Sequence, residues 1–316
     1  MATFDFPIYP LTTGFHGDVR PVPNASLVEK YGYKSFVAPT NSKDHTDEEL
    51  FNIAQEIRRD IIRALEQAKS GHSGGPLGSS DIFSVLYFGG VMRHDPKHPW
   101  WDGRDRFILS AGHMCPVLYS TLANAGYFPK EELLTLRKFN SRLQGHPGRD
   151  MGLPGIESST GSLGQGLGIA VGMAMADKLV SKNDHRVYSL TGDGELDECE
   201  IWEACMAASH WQLDNFCMVV DRNHCQIDGR TEDVMRIEPV ADKFRAFGFH
   251  VIEINGNLIG EIRAAFDEAK TIKGQPTCII AQTFMGRGVS FMEDDYRWHG
   301  KPPTTEQAEK ALVELV

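Results

Sequence analysis

The apolar positions of this chain acquire a helical spacing near residue 46. Thr46 is followed three residues later by Glu49, the arrangement of a capping box at a helix N-terminus. Apolar residues then recur three or four positions apart, at Leu50, Ile53, Ala54, Ile57, Ile61 and Leu65. This pattern predicts a helix from Thr46 to about Lys69, ended by Ser70-Gly71.

Downstream of this helix, short apolar runs alternate with helical patterns. Five runs have the length and composition of buried strands: Arg106–Leu109, Val187–Leu190, Phe216–Val220, His250–Ile254 and Cys278–Ala281. Helical patterns lie near 79–91, 114–125, 130–139, 164–180, 197–210, 240–246 and 258–272, and a last helix is predicted from Thr305 to Val316. Such alternation predicts an α/β fold with a mostly parallel sheet and helices on both faces.

Residues 1–45 lack this periodicity. The segment contains five prolines, which interrupt any regular pattern: Pro7, Pro10, Pro21, Pro23 and Pro39. It is therefore predicted to be an extended arm, whose aromatic residues indicate that it lies on a surface. The chain is accordingly predicted to consist of this arm and of one domain, residues 46–316.

Composition and charge exclude several classes of protein. The 316 residues are 41% hydrophobic and 24% charged, as in ordinary globular domains. Lys and Arg number 32 against 43 Asp and Glu, and the resulting net charge of −11 argues against a nucleic acid or an anionic membrane as partner. No apolar stretch approaches the roughly 18 residues of a membrane-spanning helix. The six cysteines include no CxxC pair, which predicts reduced thiols and a cytoplasmic location.

Candidate chemistry begins where two neighbouring predicted strands end. Gly192-Asp193-Gly194 follows the strand Val187–Leu190, and Asn223 follows the next strand. Open α/β folds bind ligands at the carboxyl edge of the sheet, and glycines allow the backbone to approach a phosphate closely. Carboxylate and amide oxygens suit Mg²⁺ or Ca²⁺, with diphosphate oxygens completing the shell. Taken alone, the same residues also fit two ordinary turns.

The Gly-Asp-Gly motif followed at this distance by Asn resembles the signature of thiamin diphosphate enzymes. Further segments between residues 50 and 302 resemble, in the family's order, the active-site loops of transketolases. These are Lys69–Gly75, Asp105–His113, Gln144–Pro147, Thr160–Gly166, and Gly286–Gly288 with Trp298–Gly300. The resemblance implies the fold of the transketolase thiamin diphosphate-binding domain.

The resemblance also implies roles for individual residues. Asp193, Asn223 and the backbone carbonyl of Cys225 correspond to the metal ligands of the family. Thiamin diphosphate would contact a second set: His113, Gly161, Leu163, Gly192, Asp193, Gly194, Asn223 and His299. Catalytic roles fall to the loop histidines, with His113 and His299 beside the diphosphate and His72 and His146 reaching the sugar, where an imidazole can bind hydroxyls or move protons. Glu198 and Glu203 correspond to acidic residues at the interface between paired active sites.

Transketolases carry a second α/β domain, whose Glu contacts the aminopyrimidine ring of the cofactor, and the usual chain is about twice as long. No segment of this sequence matches that domain. The expectation is therefore a diphosphate-binding subunit that transfers a two-carbon ketol unit from a ketose or its phosphate to an aldose or its phosphate. A separate pyrimidine-domain subunit would complete it, with two copies of each chain. A truncated piece of a longer enzyme is the alternative.

Three departures from the family pattern lie on the substrate side, at Ser73, Ala111 and Gly148, which leaves open sugars other than the ordinary pentose phosphates. Two other functions stay open. One is another two-subunit thiamin enzyme, of the deoxyxylulose phosphate synthase type or decarboxylating a 2-oxo acid; His72 and His146 favour ketol transfer over either. The other is a non-catalytic regulatory homologue, for which loss of cofactor ligands is expected, whereas Asp193 and Asn223 are both present.

Overall fold

The structure, a computed structural model, describes residues 20–315. Its strands are β1 (Arg106–Leu109), β2 (Val187–Gly192), β3 (Phe216–Arg222), β4 (Cys225–Gln226), β5 (Gly229–Arg230), β6 (His250–Asn255) and β7 (Thr277–Gln282). Its α-helices are α1 (Ala25–Lys30), α2 (Asp47–Ala68), α3 (Gly74–Gly78), α4 (Ser80–Phe88), α5 (Cys115–Asn124), α6 (Gln165–Met175), α7 (Cys199–His210), α8 (Thr231–Val234), α9 (Val240–Ala246), α10 (Ile259–Thr271) and α11 (Thr305–Glu314). No helix within this range is long and apolar enough to pass through a lipid bilayer.

Five strands form one parallel sheet in the order β1-β2-β3-β7-β6, and β4 and β5 pair as a small antiparallel ribbon. Because all five strands run the same way, their carboxyl ends meet at one edge. The register of the central pair places Gly192 opposite Asp221. Gly-Asp-Gly and Asn223, distant in sequence, are thereby brought side by side.

Alternate residues of the strands pack into two separate cores, one on each face of the sheet. Leu109, Leu190 and Val219 belong to the core shared with α2, α4, α5 and α10. Ile108 and Met218 point to the opposite face, toward α6, α7 and α9. Strands buried on both sides require the near-continuous apolar runs seen in the sequence. The predicted α/β fold with helices on both faces is confirmed.

The predicted elements agree with the structure except at a few boundaries. All five strands are present, and the capping box of Thr46 and Glu49 begins α2. The pattern at 130–139 forms only a 3-10 helix, Lys130–Thr135, and the pattern at 164–180 is α-helical to Met175 and continues as a π-helix over Ala176–Ser181.

The N-terminal arm is partly helical where the structure describes it, at residues 20–45. It contains α1 and a 3-10 helix, Tyr33–Ser35, so the extended conformation predicted for it is wrong at these positions. The Tyr33 hydroxyl donates to Asp60 of α2 at 3.0 Å, and the Lys130 ammonium lies 4.0 Å from the centre of the Phe36 ring. This packing holds the segment against the domain. Residues 1–19 and Val316 lie outside the described residues, and the boundary between arm and domain stays a prediction.

Candidate active site

A cleft opens at the carboxyl edge of the sheet, between β2, β3 and the loops around them. Its enclosed volume is about 100 Å³. Eight of the residues predicted from the sequence line it: His113, Leu163, Gly192, Asp193, Gly194, Asn223, Cys225 and His299. A larger cavity of about 610 Å³ beside Val22, Glu29 and Glu131 contains none of them. The predicted chemistry is therefore collected at a single place.

The Asp193 carboxylate is buried and held in a fixed orientation. Its Oδ1 accepts from the Gly194 amide at 2.8 Å, while Oδ2 accepts from the His224 amide at 2.7 Å and from Arg222 Nη1 at 2.9 Å. Burial raises the pKa of Asp193, and the Arg222 guanidinium opposes this shift. Arg222, itself buried, also contacts Glu232 and Glu238. This role of Arg222 was not predicted from the sequence, because it becomes visible only when the two strand ends lie together.

Asn223 is oriented by its neighbours at the end of β3. Its Nδ2 donates to Asp221 Oδ2 at 2.8 Å, and its Oδ1 accepts from the Cys225 amide at 3.0 Å. Asp221 is fully buried and also accepts from the Thr283 hydroxyl; burial raises its pKa to about 7. Asp221 thus fixes the amide of Asn223, leaving Oδ1 as the oxygen on the side of the cleft residue Cys225.

The donor set at this edge fits a hard cation that is shared with a ligand. Within residues 20–315 there is no group of three or more His, Cys, Asp or Glu able to hold a metal ion. The predicted ligands are instead one carboxylate, one amide oxygen and one backbone carbonyl, all on residues lining the cleft. Mg²⁺ commonly binds through one or two protein oxygens and completes its shell with water and phosphate oxygens.

Three of the predicted histidines form a compact cluster beside this edge. The ring centres of His72 and His113 are 4.9 Å apart, those of His113 and His299 are 5.1 Å apart, and those of His72 and His299 are 5.6 Å apart. Burial lowers the pKa of all three imidazoles, that of His72 to about 4, with neighbouring histidines adding to the effect at His72 and His113. The rings are therefore neutral near pH 7. The Nδ1 atoms of His72 and His299 are buried without a partner, an arrangement that a polar ligand would relieve.

His146 lies on the loop next to this cluster and is exposed. A Cβ added to Gly161 would come within 3.2 Å of the His146 side chain, and one added to Gly112 would come within 2.8 Å of Gly161. The Thr160 amide donates to the Pro147 carbonyl at 3.1 Å. Glycine at 112 and 161 therefore permits the loops of His113, His146 and Leu163 to pack directly on one another.

Ser73, which replaces the proline usual in the family, connects the first loop to the last. Its hydroxyl donates to the carbonyls of Lys301 at 2.8 Å and Trp298 at 3.2 Å, on either side of His299. Proline has no hydroxyl and cannot form this link. The substitution thus joins the loops of His72 and His299 by a hydrogen bond of the side chain.

Glu195 joins three of the predicted cofactor loops, a role that was not predicted from the sequence. Its Oε1 accepts from the Ser110 hydroxyl at 2.6 Å and the Gly164 amide at 2.8 Å, and its Oε2 accepts from the Gly192 amide at 3.0 Å. Burial raises its pKa to about 7 although these donors favour the charged form. A Glu after Gly-Asp-Gly gives no sequence signal that distinguishes this buried acceptor from an exposed charge.

Glu198 and Glu203 lie away from the cleft. Both are exposed, Glu198 just before α7 and Glu203 within it. A Cβ added to Gly164 would lie 3.1 Å from the Glu198 side chain, so Glu198 borders the loop of Leu163. Their exposure is compatible with the predicted subunit interface, which stays a prediction.

Replacing His72 with Gln is expected to reduce the acid sensitivity of the fold. With a pKa of about 4 in the folded chain and about 6.5 in the unfolded chain, His72 takes up a proton first in the unfolded state. Its contribution to stability is therefore lost as the pH falls through this window, by about 2 kcal/mol between about pH 7 and about pH 5. Urea unfolding of both chains at the two pH values measures the difference. His210→Gln, at an exposed histidine outside the cluster, is the control; equal acid sensitivity of all three chains contradicts the prediction.

A parallel sheet covered on both faces, with an Asp–Asn pair, close-packed glycine loops and neutral imidazoles at its carboxyl edge, defines an α/β protein that binds a phosphorylated cofactor. Residues 50–314 match the family model described as the thiamine diphosphate binding domain of transketolase. The chain belongs to this family, which confirms the resemblance found in the sequence.

Relatives of two lengths are similar to the chain. One of the two subunits named for the apulose-4-phosphate transketolase of Phocaeicola vulgatus is 42% identical over 262 residues, 83% of this chain and 92% of that protein. The 6-deoxy-6-sulfo-D-fructose transketolase subunit SqwG of a Clostridium species is 41% identical over 270 residues, 84% of this chain and 96% of that protein. The crystal structure of transketolase from Campylobacter jejuni superposes with a TM-score of 0.79 at 37% identity, covering 84% of this chain and 43% of that one. The chain thus spans nearly all of two shorter relatives and less than half of a longer transketolase.

Proposed function

We propose that this chain is the thiamin diphosphate-binding subunit of a two-subunit transketolase. The reaction is transfer of a two-carbon ketol unit from a ketose or ketose phosphate to an aldose or aldose phosphate. The observation that carries the proposal is the cluster of His72, His113 and His299, which lies beside a cleft lined by Asp193 and Asn223. The names and lengths of the two shorter relatives, both called transketolase subunits, support it.

The diphosphate end of the cofactor and its metal ion would be held at the edge of β2 and β3. Asp193, Asn223 and the Cys225 carbonyl supply oxygen ligands for Mg²⁺ or Ca²⁺. The Gly194 amide and the imidazoles of His113 and His299 donate to the phosphates, since neutral imidazoles carry one N–H each. Leu163 and the glycines at 161 and 192 provide the apolar and close backbone contacts.

His72 and His146 would act on the sugar. When bound, thiamin diphosphate supplies the nucleophilic carbon that the amino acids of this chain lack. A neutral imidazole can donate through one nitrogen and accept through the other, so each ring can orient a hydroxyl and move its proton. The depressed pKa of His72 keeps its ring in this neutral form near pH 7.

The rest of the cofactor site would come from a separate pyrimidine-domain subunit. The enclosed volume of about 100 Å³ is smaller than the roughly 300–1,000 Å³ of pockets that bury a ligand of this size. We expect two copies of each chain, with Glu198 and Glu203 at the contact between paired sites. A cytoplasmic location agrees with the six cysteines, all of which are free thiols in the structure.

Affinity purification of the tagged chain from extract of its own cells is expected to recover a second polypeptide in equal amount. Thiamin diphosphate and Mg²⁺ are kept present, and mass spectrometry identifies what elutes. The recovered complex is then assayed with ketose donors and with pyruvate. A chain carrying Asp193→Asn, which weakens the cofactor site, is the matched control. Recovery of this chain alone as a self-dimer refutes the two-subunit proposal, and turnover of pyruvate without turnover of ketoses replaces ketol transfer by the alternative reaction.

A further inference from the structure

Arg137 lies where the loop of His72 meets the loop of His146. Its Nη1 donates to the Ser70 hydroxyl at 3.1 Å and its Nη2 donates to the Gly145 carbonyl at 3.2 Å. A Cβ added to Gly145 would lie 2.7 Å from its Cζ, and one added to Gly71 would lie 3.5 Å from its Nε. The guanidinium is thus packed against the backbone of both loops, at the residue that precedes each histidine.

The backbone of Arg137 is unusual in a way that serves this contact. Its φ of 56° lies in the left-handed region, which is costly for a residue with a side chain, and its amide donates to the Leu143 carbonyl at 2.9 Å. Across residues 20–315, no carboxylate forms an ion pair with Arg137. A partly buried cation without a counter-ion, in a strained conformation, is held here by the two loops that it joins.

We propose that Arg137 is a positioning residue that fixes the loop of His72 against the loop of His146 and so sets the relative placement of the two imidazoles for the sugar. Only a planar fork can reach the Ser70 hydroxyl and the Gly145 carbonyl together, whereas a single ammonium can satisfy one of them well. This inference rests on the proposed function, because it assigns Arg137 to the substrate side of that site.

The charge of Arg137 gives the same arrangement an electrostatic consequence. Burial lowers the pKa of His146, and the Arg137 guanidinium lowers it further; Arg137 also contributes to the lowered pKa of His72. The other titratable rings that face these two histidines are His113 and His299. His146, on which Arg137 is the only charged neighbour that contributes, is therefore the most direct reporter of the guanidinium.

Two substitutions separate geometry from charge. Arg137→Lys keeps the charge and loses the fork, while Arg137→Gln loses the charge and keeps one donor group. Lys138→Gln is the matched control, because the exposed Lys138 removes a neighbouring cation whose ammonium contacts the Gln67 carbonyl of α2 and neither loop. Ser70→Ala removes one of the two acceptors without changing Arg137.

The first measurement is the titration of the His146 ring by NMR in the full chain, with the signal assigned from a His146→Gln variant. Arg137→Gln is expected to move the midpoint of His146 upward, and Arg137→Lys and Lys138→Gln are expected to leave it in place. This readout needs no ketol transfer, so its result does not depend on whether the proposed function is right. An unchanged midpoint in a folded Arg137→Gln chain overturns the electrostatic part.

The second measurement is steady-state kinetics of the assembled complex. Arg137→Lys and Ser70→Ala are each expected to raise the KM for the ketose roughly threefold to tenfold, the effect of one hydrogen bond, while the KM for thiamin diphosphate stays constant. A general loss of folding would raise both constants and lower the thermal midpoint as well. Unchanged ketose KM in Arg137→Lys and Ser70→Ala, or an equal rise for cofactor and sugar, overturns the positioning role.

Discussion

Replacing Asp193 with Asn is expected to abolish metal-dependent binding of thiamin diphosphate, with a rise in the dissociation constant of about a hundredfold or more. The substitution removes the only carboxylate among the three proposed metal ligands. Changes to groups that merely support a metal ligand already cost about tenfold to a hundredfold in affinity, and loss of a ligand charge costs at least as much.

The consequences for the fold can be measured separately. Asp193 accepts from Arg222, which also contacts Glu232 and Glu238, so the buried guanidinium keeps two carboxylate partners in the variant. We expect the free energy of unfolding of the cofactor-free chain to fall by about 1–3 kcal/mol, the usual effect of disturbing a buried charged hydrogen bond.

Calorimetric titration of the assembled complex with thiamin diphosphate, at saturating Mg²⁺ and again with a chelator, measures the effect on binding. Asp197→Asn is the matched control, because Asp197 is an exposed carboxylate four residues further on that does not line the cleft. An Asp193→Asn complex that binds the cofactor as tightly as the original, with the same dependence on Mg²⁺, rules out the metal assignment.

The purified chain without a partner is expected to show no ketol transfer above the rate in buffer, and a complex with the pyrimidine-domain subunit is expected to be active by at least about a hundredfold more. The missing function is proton transfer at the aminopyrimidine, and general acid–base groups contribute about 10²–10⁴ in rate. The acidic residues that line the cleft are Asp193 and Glu195, and both are buried and committed to hydrogen bonds within the chain.

A coupled assay of aldose-dependent ketose consumption, run on the chain alone, on the partner alone and on their mixture, tests this dependence. The mixture with Asp193→Asn in place of the original chain controls for contaminating transketolase. Sustained turnover by the isolated chain at a rate comparable with that of the mixture would show that the site is complete without a second subunit.

Much of the fold follows from local pattern. The apolar runs that become β1, β2, β3, β6 and β7 are buried on both faces, and only strands of a covered parallel sheet need such runs. The capping box of Thr46 and Glu49 likewise specifies the start of α2 through hydrogen bonds between near neighbours in the chain. The 3-10 helix at Lys130–Thr135 was missed because its pattern of apolar residues also suits an α-helix.

The candidate site was predictable in outline for a similar reason. Asp193 and Asn223 follow consecutive strands, and parallel pairing alone brings such positions together. The resemblance to transketolases added the loop histidines, of which His72, His113 and His299 lie within contact distance of each other. Their roles toward cofactor and sugar stay predictions.

By itself the sequence determined the sheet, its helices and the edge at which the chemistry lies, since these depend on the spacing of apolar residues and on where strands end. Only the tertiary structure decided how the loops are joined. Glu195 accepts from three loops and Arg137 donates to two, and the partners are up to 85 residues apart in sequence. Contacts of this kind depend on which loops become neighbours and on which polar groups are buried, and neither quantity is written in the local pattern of residues.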